Sequence, residues 1–127
     1  MPSTRLSDTE AALQLAYACL LADFRDQTGH DLLLTCTERT VEEQAALYAK
    51  GRTAPGGIVT QLDGTIRKSK HNAHPARAVD VAVVINGKVS WDPAQYAPLG
   101  PLAERYGLIW GGTWDTFKDY PHLELPD

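Results

Sequence analysis

The chain has 127 residues, a formal net charge of −4 and a hydrophobic fraction of 43%. That length predicts one domain, residues 1–127, with a modest hydrophobic core. The acidic balance argues against nucleic-acid binding through phosphate neutralisation. No apolar run approaches the roughly 20 residues needed for membrane insertion as a spanning helix. Residues 1–5 lack a basic-then-apolar signal pattern, so we expect synthesis in the cytoplasm without a signal peptide.

The two cysteines, Cys19 and Cys36, are far apart in the sequence and form no CxxC pair. Cys19 lies in a helical pattern and Cys36 in a strand pattern, which predicts reduced thiols that behave as small buried hydrophobes. Neither has an activating neighbour beside it in the sequence. A structural zinc is usually closed by four ligands, commonly cysteines, so the sequence favours a hydrolytic metal over a scaffold metal.

The first part of the chain predicts two helices around a buried strand. Ser7 to Glu10 fits a capping box, followed by apolar residues at helical spacing from Leu13 to Phe24. Residues 32–37 predict a strand. A second capping box, Thr40 to Glu43, predicts a helix that ends at Gly51 and places on one face Val41, Ala45 and Tyr48.

Residues 51–77 lack apolar periodicity and predict a long loop, a feature that is usually functional or disordered. Beyond it, Asn86-Gly87 is the favoured two-residue turn of a β-hairpin. The remaining predicted elements are strands at 78–85 and 88–91, a helix at 99–106, and strands at 108–110 and 122–125. This order predicts an α+β fold with a small, mostly antiparallel sheet and flanking helices.

Two imidazoles and a carboxylate are the candidate metal ligands. Asp80 interrupts an apolar strand and would be costly to bury unless it were paired or bound to a metal. A solvated position, or a pair with Arg77, would also explain it. His71 lies one loop away and His122 in a second apolar strand, and each could equally be a solvated or a core histidine. His74 is the rival of His71, whereas His30 belongs to a distant turn.

Three further charged residues could act around such a metal. Asp119, three residues before His122, could take a proton from the attacking water and pass it to the leaving amine. Arg39 could bind a substrate carboxylate or stabilise the oxyanion. Glu124 shares a strand face with His122 and could orient it or meet substrate. Each could also be a solvated residue. Carboxylate-bearing substrate could be attracted by the cations around the loop, which are Arg67, Lys68, Lys70 and Arg77.

From about Leu32 to Leu125 the pattern resembles the VanY-like D-alanyl-D-alanine carboxypeptidase group of zinc peptidases, and in particular phage L-alanyl-D-glutamate peptidases of the endolysin type. The motifs that carry the resemblance are Ser69-Lys70-His71, Ala78-Val79-Asp80, Asp119-Tyr120-Pro121-His122, Arg39 with Gln44, residues 47–53, and Ile109-Trp110-Gly111-Gly112. His71 and Asp80 are nine residues apart, where the commonest form of the motif has seven. Thr113 stands where aspartate often follows the tryptophan-glycine-glycine landmark.

The resemblance implies a hedgehog/D-Ala-D-Ala-peptidase-like fold. It makes His71, Asp80 and His122 the ligands of Zn²⁺, Asp119 the catalytic base and Arg39 the cation that stabilises the transition state. Ser69, Gln44 and Glu124 would support substrate or ligands.

The implied function is a peptidoglycan hydrolase that cuts stem peptides at the bond between L-Ala and D-Glu, as a monomer released by a phage or prophage holin or by lysis. A D,D-carboxypeptidase or dipeptidase acting on D-Ala-D-Ala ends is one alternative, and a non-catalytic zinc-binding module of the same fold is another.

Overall fold

The computed structural model describes residues 1–64 and 69–127 and confirms the predicted α+β architecture. The helices are α1 (Ala11–Thr28), α2 (Val41–Ala49) and α3 (Leu99–Arg105). The strands are β1 (Asp31–Cys36), β2 (Ala78–Ile85), β3 (Lys88–Ser90), β4 (Ile109–Trp110) and β5 (His122–Glu124). Short 3₁₀ turns at Lys70–Asn72 and Gly111–Thr113 lie beside the site described below.

The strands form one antiparallel sheet in the order β1-β2-β5-β4, with β3 paired to the carboxy-terminal part of β2. At the amino-terminal end of β2, the register sets Asp80 opposite Cys36 on one side and opposite His122 on the other. A register irregularity between Leu34 and Cys36 interrupts the regular β1 pairing just before the Cys36–Asp80 pair. Residues that are far apart in the sequence therefore meet at one end of β2.

The hydrophobic core lies between one face of the sheet and the helices α1 and α3. Because side chains alternate along a strand, Val79, Val81 and Val83 of β2 all point into this core and are fully buried. Asp80 lies between two of them and so projects from the opposite face. The carboxylate in the apolar strand is thus outside the core, on the face that carries the candidate site.

Several local predictions can be compared with the structure. The Asn86-Gly87 turn is confirmed, with φ of 51° and 77° as a two-residue hairpin turn requires. The Thr40 to Glu43 capping box is also confirmed by both of its hydrogen bonds. The Ser7 to Glu10 box is wrong, because residues 6–8 form a 3₁₀ turn and Glu10 itself is the N-cap residue of α1.

The predicted apolar face of α2 is wrong as well. Val41 is 38% exposed, whereas the buried residue of this helix is Gln44. The helix packs toward the polar side chain of Arg39 and the loop at 60–62, so its inner face is polar. Part of the predicted 51–77 loop, residues 65–68, lies outside the described residues, and residues 70–72 form a 3₁₀ turn.

Among residues 1–64 and 69–127, no helix is both long and apolar enough to cross a membrane.

Candidate metal centre and cleft

Asp80 lies at the centre of the candidate site, with an imidazole on each side. His71 Nε2 and His122 Nδ1 each lie 3.2 Å from Asp80 Oδ1. Arg39 Nη2 lies 3.5 Å from the other carboxylate oxygen, Oδ2. The alternative pair with Arg77 is wrong, because that guanidinium binds Glu10 and the Pro126 carbonyl instead. The structure therefore brings each of the two predicted histidine ligands next to the predicted carboxylate ligand.

His71 is held by hydrogen bonds of the turn that carries it. Ser69 Oγ accepts a hydrogen bond from the His71 backbone N–H (3.1 Å), and the His71 carbonyl accepts one from Arg39 N–H (2.7 Å). On the imidazole, Nδ1 lies 2.7 Å from the Thr37 carbonyl oxygen. Since a carbonyl can only accept, Nδ1 carries the hydrogen and Nε2 faces Asp80. Ser69 is thus placed as a support for this histidine.

His122 is oriented in the same way by Glu124. The two residues share one face of β5, and His122 Nε2 lies 2.8 Å from Glu124 Oε1. An ionised carboxylate can only accept, so Nε2 carries the hydrogen and Nδ1 faces Asp80. Histidine ligands of metals commonly have such a carboxylate or carbonyl partner on their outer nitrogen.

Both imidazoles therefore face an acceptor at each nitrogen. The inner nitrogen of each imidazole is the one that faces Asp80. Because this nitrogen and the carboxylate oxygen are both acceptors, the nitrogen needs either a second proton on the ring or a bound cation. Burial lowers the pKa of His71 and of His122, but their polar partners, of which Asp80 is the strongest, outweigh burial and raise both pKa values. Burial raises the pKa of Asp80 in turn, and the two imidazoles outweigh that effect and lower it.

The donor set fits a zinc ion. Zinc binds nitrogen and oxygen ligands at about 2.0–2.1 Å, so two ligand atoms of a tetrahedral site lie about 3.3 Å apart. The two nitrogen-to-oxygen separations at Asp80 are both 3.2 Å. Two imidazoles and one carboxylate are also the ligand types of catalytic zinc sites, which keep one position open.

Among the described residues, two overlapping groups of possible metal ligands occur; Asp80 belongs to both, and the two histidines fall in different groups. In each group the ligand atoms lie within 4.8 Å of one another; the groups are Cys36, His71 and Asp80, and Asp80, Asp119 and His122. Cys36 Sγ lies 3.7 Å from His71 Nδ1. That nitrogen is the one that already binds the Thr37 carbonyl, whereas Nε2 is the nitrogen that faces Asp80.

Sequence reasoning missed the surroundings of Cys36. The expectation of a buried, reduced thiol is in accord with its burial, but Arg39 Nη2 donates to Cys36 Sγ at 3.3 Å. Arg39 is only three residues further along, yet a strand end and a turn separate the two in the sequence pattern. The Cys36–Asp80 pairing across the sheet carries no signal in the local sequence.

Asp119 lies at the rim of the ligand cluster. Its Oδ2 is 3.9 Å from His122 Nδ1, and its backbone carbonyl accepts a hydrogen bond from His122 N–H. Burial raises the pKa of Asp119, and the nearby negative charge of Asp80 raises it further. A carboxylate with a raised pKa at the edge of a metal site is suited to accept a proton from a reacting water.

The segment that carries Asp119 packs against Gly111. A Cβ atom on Gly111 would lie 2.3 Å from the Asp119 carbonyl oxygen and 3.1 Å from the His122 Cβ. The Gly111 carbonyl accepts from Asp119 N–H, and Trp110 Nε1 donates to the Tyr120 carbonyl at 2.7 Å. The tryptophan-glycine-glycine landmark therefore has a physical reason, since only glycine leaves room for this turn.

Arg39 and Gln44 form a second buried polar unit beside the ligands. Arg39 Nη1 donates to Gln44 Oε1 at 2.6 Å, and Gln44 Nε2 donates to the Leu62 carbonyl at 2.7 Å. Gln44 is fully buried. It thus connects the guanidinium to the loop at 60–62, which forms one side of the cleft.

The cluster lies at the base of a cleft with a volume of about 580 Å³. Its polar base contains the ligand candidates together with Arg39, Ser69, Asp119 and Glu124. Its apolar walls, which sequence reasoning did not identify, include Leu47, Val59, Trp114 and Phe117. The Trp114 ring lies 5.1 Å from the His122 imidazole, between centroids. The cleft thus combines apolar side chains with the polar cluster of ligand candidates.

The rival histidines lie elsewhere. His74 pairs with Glu38 and has an 87% exposed side chain, and His30 precedes β1 at the end opposite Cys36. The proposed electrostatic role of the loop cations is not supported for Arg77, which is paired with Glu10. Arg67 and Lys68 lie outside the described residues.

Comparisons with known proteins agree with this geometry. Residues 63–125 match the model of a family described as D-alanyl-D-alanine carboxypeptidase. Over 107 residues the chain is 36% identical to the peptidoglycan L-alanyl-D-glutamate endopeptidase CwlK of Bacillus subtilis (strain 168), an alignment that covers 76% of this chain. The chain spans 62% of the length of that relative.

The fold is also found in a solved structure. The crystal structure of the Serratia marcescens L-Ala D-Glu endopeptidase ChiX superposes with a TM-score of 0.72 at 21% identity. The match covers 99% of this chain and 90% of that one. At this level of identity the likeness establishes the α+β fold.

Proposed function

We propose that this chain, whose residues 63–125 match the D-alanyl-D-alanine carboxypeptidase family, is a zinc-dependent peptidase that hydrolyses peptidoglycan stem peptides at the bond between L-Ala and D-Glu. The named relatives are L-alanyl-D-glutamate endopeptidases, which supports this bond over D-Ala-D-Ala ends. The single observation that carries the metal assignment is the pair of imidazoles with an acceptor at every nitrogen. A cation between them and Asp80 satisfies both inner nitrogens.

In this proposal His71 Nε2, one Asp80 oxygen and His122 Nδ1 would hold Zn²⁺. When bound, zinc supplies Lewis acidity that polarises a carbonyl and makes water a nucleophile near neutral pH. Thr37 and Glu124 hold the outer nitrogens of the two imidazoles and so fix the direction of the inner ones.

Asp119 takes the proton of the attacking water and delivers it to the leaving amine. Its position at the rim of the cluster and its raised pKa support this role. A positioned acid-base group contributes roughly 100- to 10,000-fold in rate. A non-catalytic metal-binding module has no need of a carboxylate there.

Arg39 supplies positive charge at the base of the cleft, where the oxyanion of the tetrahedral intermediate or a substrate carboxylate binds. Gln44 fixes the guanidinium from behind. Loss of one oxyanion donor typically costs about 2.7–4 kcal/mol of transition-state stabilisation.

The test is digestion of purified peptidoglycan by the zinc-loaded wild type, Asp119→Asn and Asp115→Asn, with new termini identified by mass spectrometry. Asp115 is an exposed aspartate four residues earlier and serves as the matched control. We expect new D-Glu amino termini from the wild type and Asp115→Asn, and at least about 100-fold fewer from Asp119→Asn.

Other outcomes identify the alternatives. Release of terminal D-Ala in place of D-Glu amino termini would show a D,D-carboxypeptidase. Zinc bound by all three proteins without cleavage by any would show a non-catalytic binding module. The narrower expectations of a phage or prophage origin, an endolysin role with holin release, and a monomer stay predictions.

A further inference from the structure

Lys70 is the central residue of Ser69-Lys70-His71. Its side chain contacts the end of β5, whereas the side chain of His71 contacts Asp80. Its Nζ lies 2.6 Å from Glu124 Oε2 and 2.6 Å from the Leu125 carbonyl oxygen. A third acceptor, Asp127 Oδ1, lies at 3.2 Å. One lysine side chain thus joins the turn that carries His71 to the end of β5.

Glu124 bridges Lys70 and His122 with its two oxygens. Oε2 binds the lysine and Oε1 lies 2.8 Å from His122 Nε2. The Glu124 side chain is 14% exposed, so its negative charge is largely removed from water. A buried carboxylate needs a close cation, and without one it tends to turn toward water or to find another partner.

We propose that Lys70 is a positioning residue for the metal centre: it holds Glu124 in place so that His122 Nδ1 stays directed at Asp80. The inference rests on the proposed function, because it takes His71, Asp80 and His122 as the ligands. Lys70 itself touches neither metal nor substrate in this proposal and acts through Glu124.

The contacts of Lys70 argue against a direct role in substrate binding. An ammonium group has three N–H donors, and the three acceptors at 2.6, 2.6 and 3.2 Å account for all of them. Two of these acceptors lie on Glu124 and Leu125, within or beside a paired strand. Only the Asp127 contact involves a fully exposed side chain, and an exposed pair of that kind contributes little.

The position of Lys70 also connects the segment that carries His71 with the segment that carries His122. His71 follows it directly in the 3₁₀ turn, and the Lys70 carbonyl accepts a hydrogen bond from Arg77 N–H (3.0 Å) just before β2. The two histidines are 51 residues apart in the sequence. Through Glu124, the side chain beside the first histidine fixes the orientation of the second.

The experiment measures the zinc dissociation constant of the purified full chain by competition with a chromophoric chelator. The variants are Lys70→Met, Lys70→Arg, Glu124→Gln and the double variant Lys70→Met/Glu124→Gln. Lys88→Met, an exposed lysine of the β3 hairpin, is the matched control. Loss of a partner outside the ligand set typically weakens metal binding about 10- to 100-fold.

We expect about 10-fold weaker zinc binding for Lys70→Met, recovery to within about 3-fold for Lys70→Arg, and no change for Lys88→Met. Because both residues act on His122 as one unit, the double variant should lose little more than the larger single effect. It also removes the unpaired carboxylate, so it stays informative if Lys70→Met alone does not fold.

Two results would overturn the inference. One is wild-type zinc affinity in Lys70→Met; an increase in KM of that zinc-saturated variant would then assign Lys70 to substrate binding. The other is independent, additive losses of zinc affinity in the double variant. Failure of the wild type to bind one zinc would instead overturn the proposed function, so the two failures are distinguishable.

Discussion

The two ends of β2 are built on different physical principles. At the amino-terminal end, Asp80 stands between two imidazoles and beside Arg39, and nearly every contact is polar. At the carboxy-terminal end, Val83 to Ile85 pair with β3 through a tight turn, and the Tyr96 hydroxyl accepts from Val83 N–H. One strand therefore holds the polar cluster of the proposed metal site at one end and a plain hairpin at the other.

This difference shows how the fold supports chemistry. The buried side chains of the middle and end of β2 pack into the core with α1 and α3, which fixes the strand in space. The polar end is then positioned by a scaffold that does not depend on it. Substitutions at the polar end should change metal binding and activity, whereas substitutions at the hairpin end should change stability alone.

The largest expected effect concerns pH. In the zinc-free protein the pKa values of His71 and His122 are raised, so both imidazoles hold protons that zinc must displace. Each displaced proton makes zinc affinity rise by up to about tenfold per pH unit. We expect the increase in melting temperature caused by zinc to grow from pH 5 to pH 8, as measured by thermal unfolding with and without the ion.

The stability of the zinc-free protein should depend on pH in the opposite direction. A raised histidine pKa contributes stability that is fully present below the unfolded value of about 6.5 and is lost as pH rises through the folded value. The lowered pKa of Asp80 contributes stability that is lost only as pH falls below about 3.9, outside this window. Zinc-free stability should therefore fall, not rise, as the pH increases above 6.5. A zinc effect that does not depend on pH would contradict the imidazole ligands.

Asp80→Asn should weaken zinc binding by more than about 100-fold, beyond the range seen for partners outside the ligand set. The amide keeps the shape of the side chain and removes its charge. Val83→Ala is the matched change in the core-facing, hairpin-paired part of β2 and should cost about 2 kcal/mol of stability while zinc affinity is retained. Chelator competition and denaturant unfolding of both variants separate the two effects. Equal loss of zinc binding in both would contradict the independence of the two ends.

Gly111→Ala should displace Asp119 and reduce peptidase activity by about 100-fold, because the added Cβ would lie 2.3 Å from the Asp119 carbonyl oxygen. Overpacking of this kind also costs about 1–3 kcal/mol of stability. Gly29→Ala is a poor control because that residue has a positive φ, whereas a Cβ on Gly57 meets nothing within 4 Å. Gly57→Ala should retain activity, and steady-state rates on peptidoglycan provide the comparison.

Gln44→Leu should reduce activity by about 10-fold, since Arg39 loses its partner behind the site and the Leu62 carbonyl loses its donor. Burial of groups left without partners costs about 1–3 kcal/mol each. Leu47→Met, one turn along the same helix, is a volume-conserving control and should cost less than about 1.5 kcal/mol. Zinc affinity should be unchanged in both, which distinguishes loss of the Arg39 position from loss of the metal. A parallel loss of zinc would contradict the separate role given to the Arg39–Gln44 unit.

The sequence predicts the hairpin end of β2 more completely than the end that carries Asp80. The bounds of β2 and the Asn86-Gly87 turn follow from local rules, because turn geometry and apolar runs depend on neighbouring residues. The proposed ligand set follows from motif order and a family resemblance. No local rule could place Cys36 beside His71 or the Thr37 carbonyl on its Nδ1, because these contacts depend on sheet register and on a turn more than thirty residues away.

The interpretations of α2 and of Lys70 failed for the same reason, because both depend on partners that the local sequence does not show. The apolar face assigned to α2 assumed that a helix buries its hydrophobic residues, yet this helix buries Gln44 because the partner is the charged group of Arg39. The charged residue in Ser69-Lys70-His71 was interpreted as part of an electropositive loop. Its partner, Glu124, lies 54 residues later, and only the antiparallel pairing of β2 with β5 brings the two together.

The smallest expected effect is at the hairpin end. Gly87→Ala should cost about 1 kcal/mol, because Gly87 has a φ of 77° that alanine adopts only with strain. Asn86→Gly at the neighbouring position, where φ is 51°, should change stability by less than that, since glycine accepts the same conformation without strain. Denaturant unfolding of the zinc-free proteins measures both. Because the turn joins β2 to β3 at the end opposite Asp80, neither variant should change zinc affinity. A weakened zinc site in Gly87→Ala would mean that the hairpin, and not the core packing of β2, sets the position of Asp80.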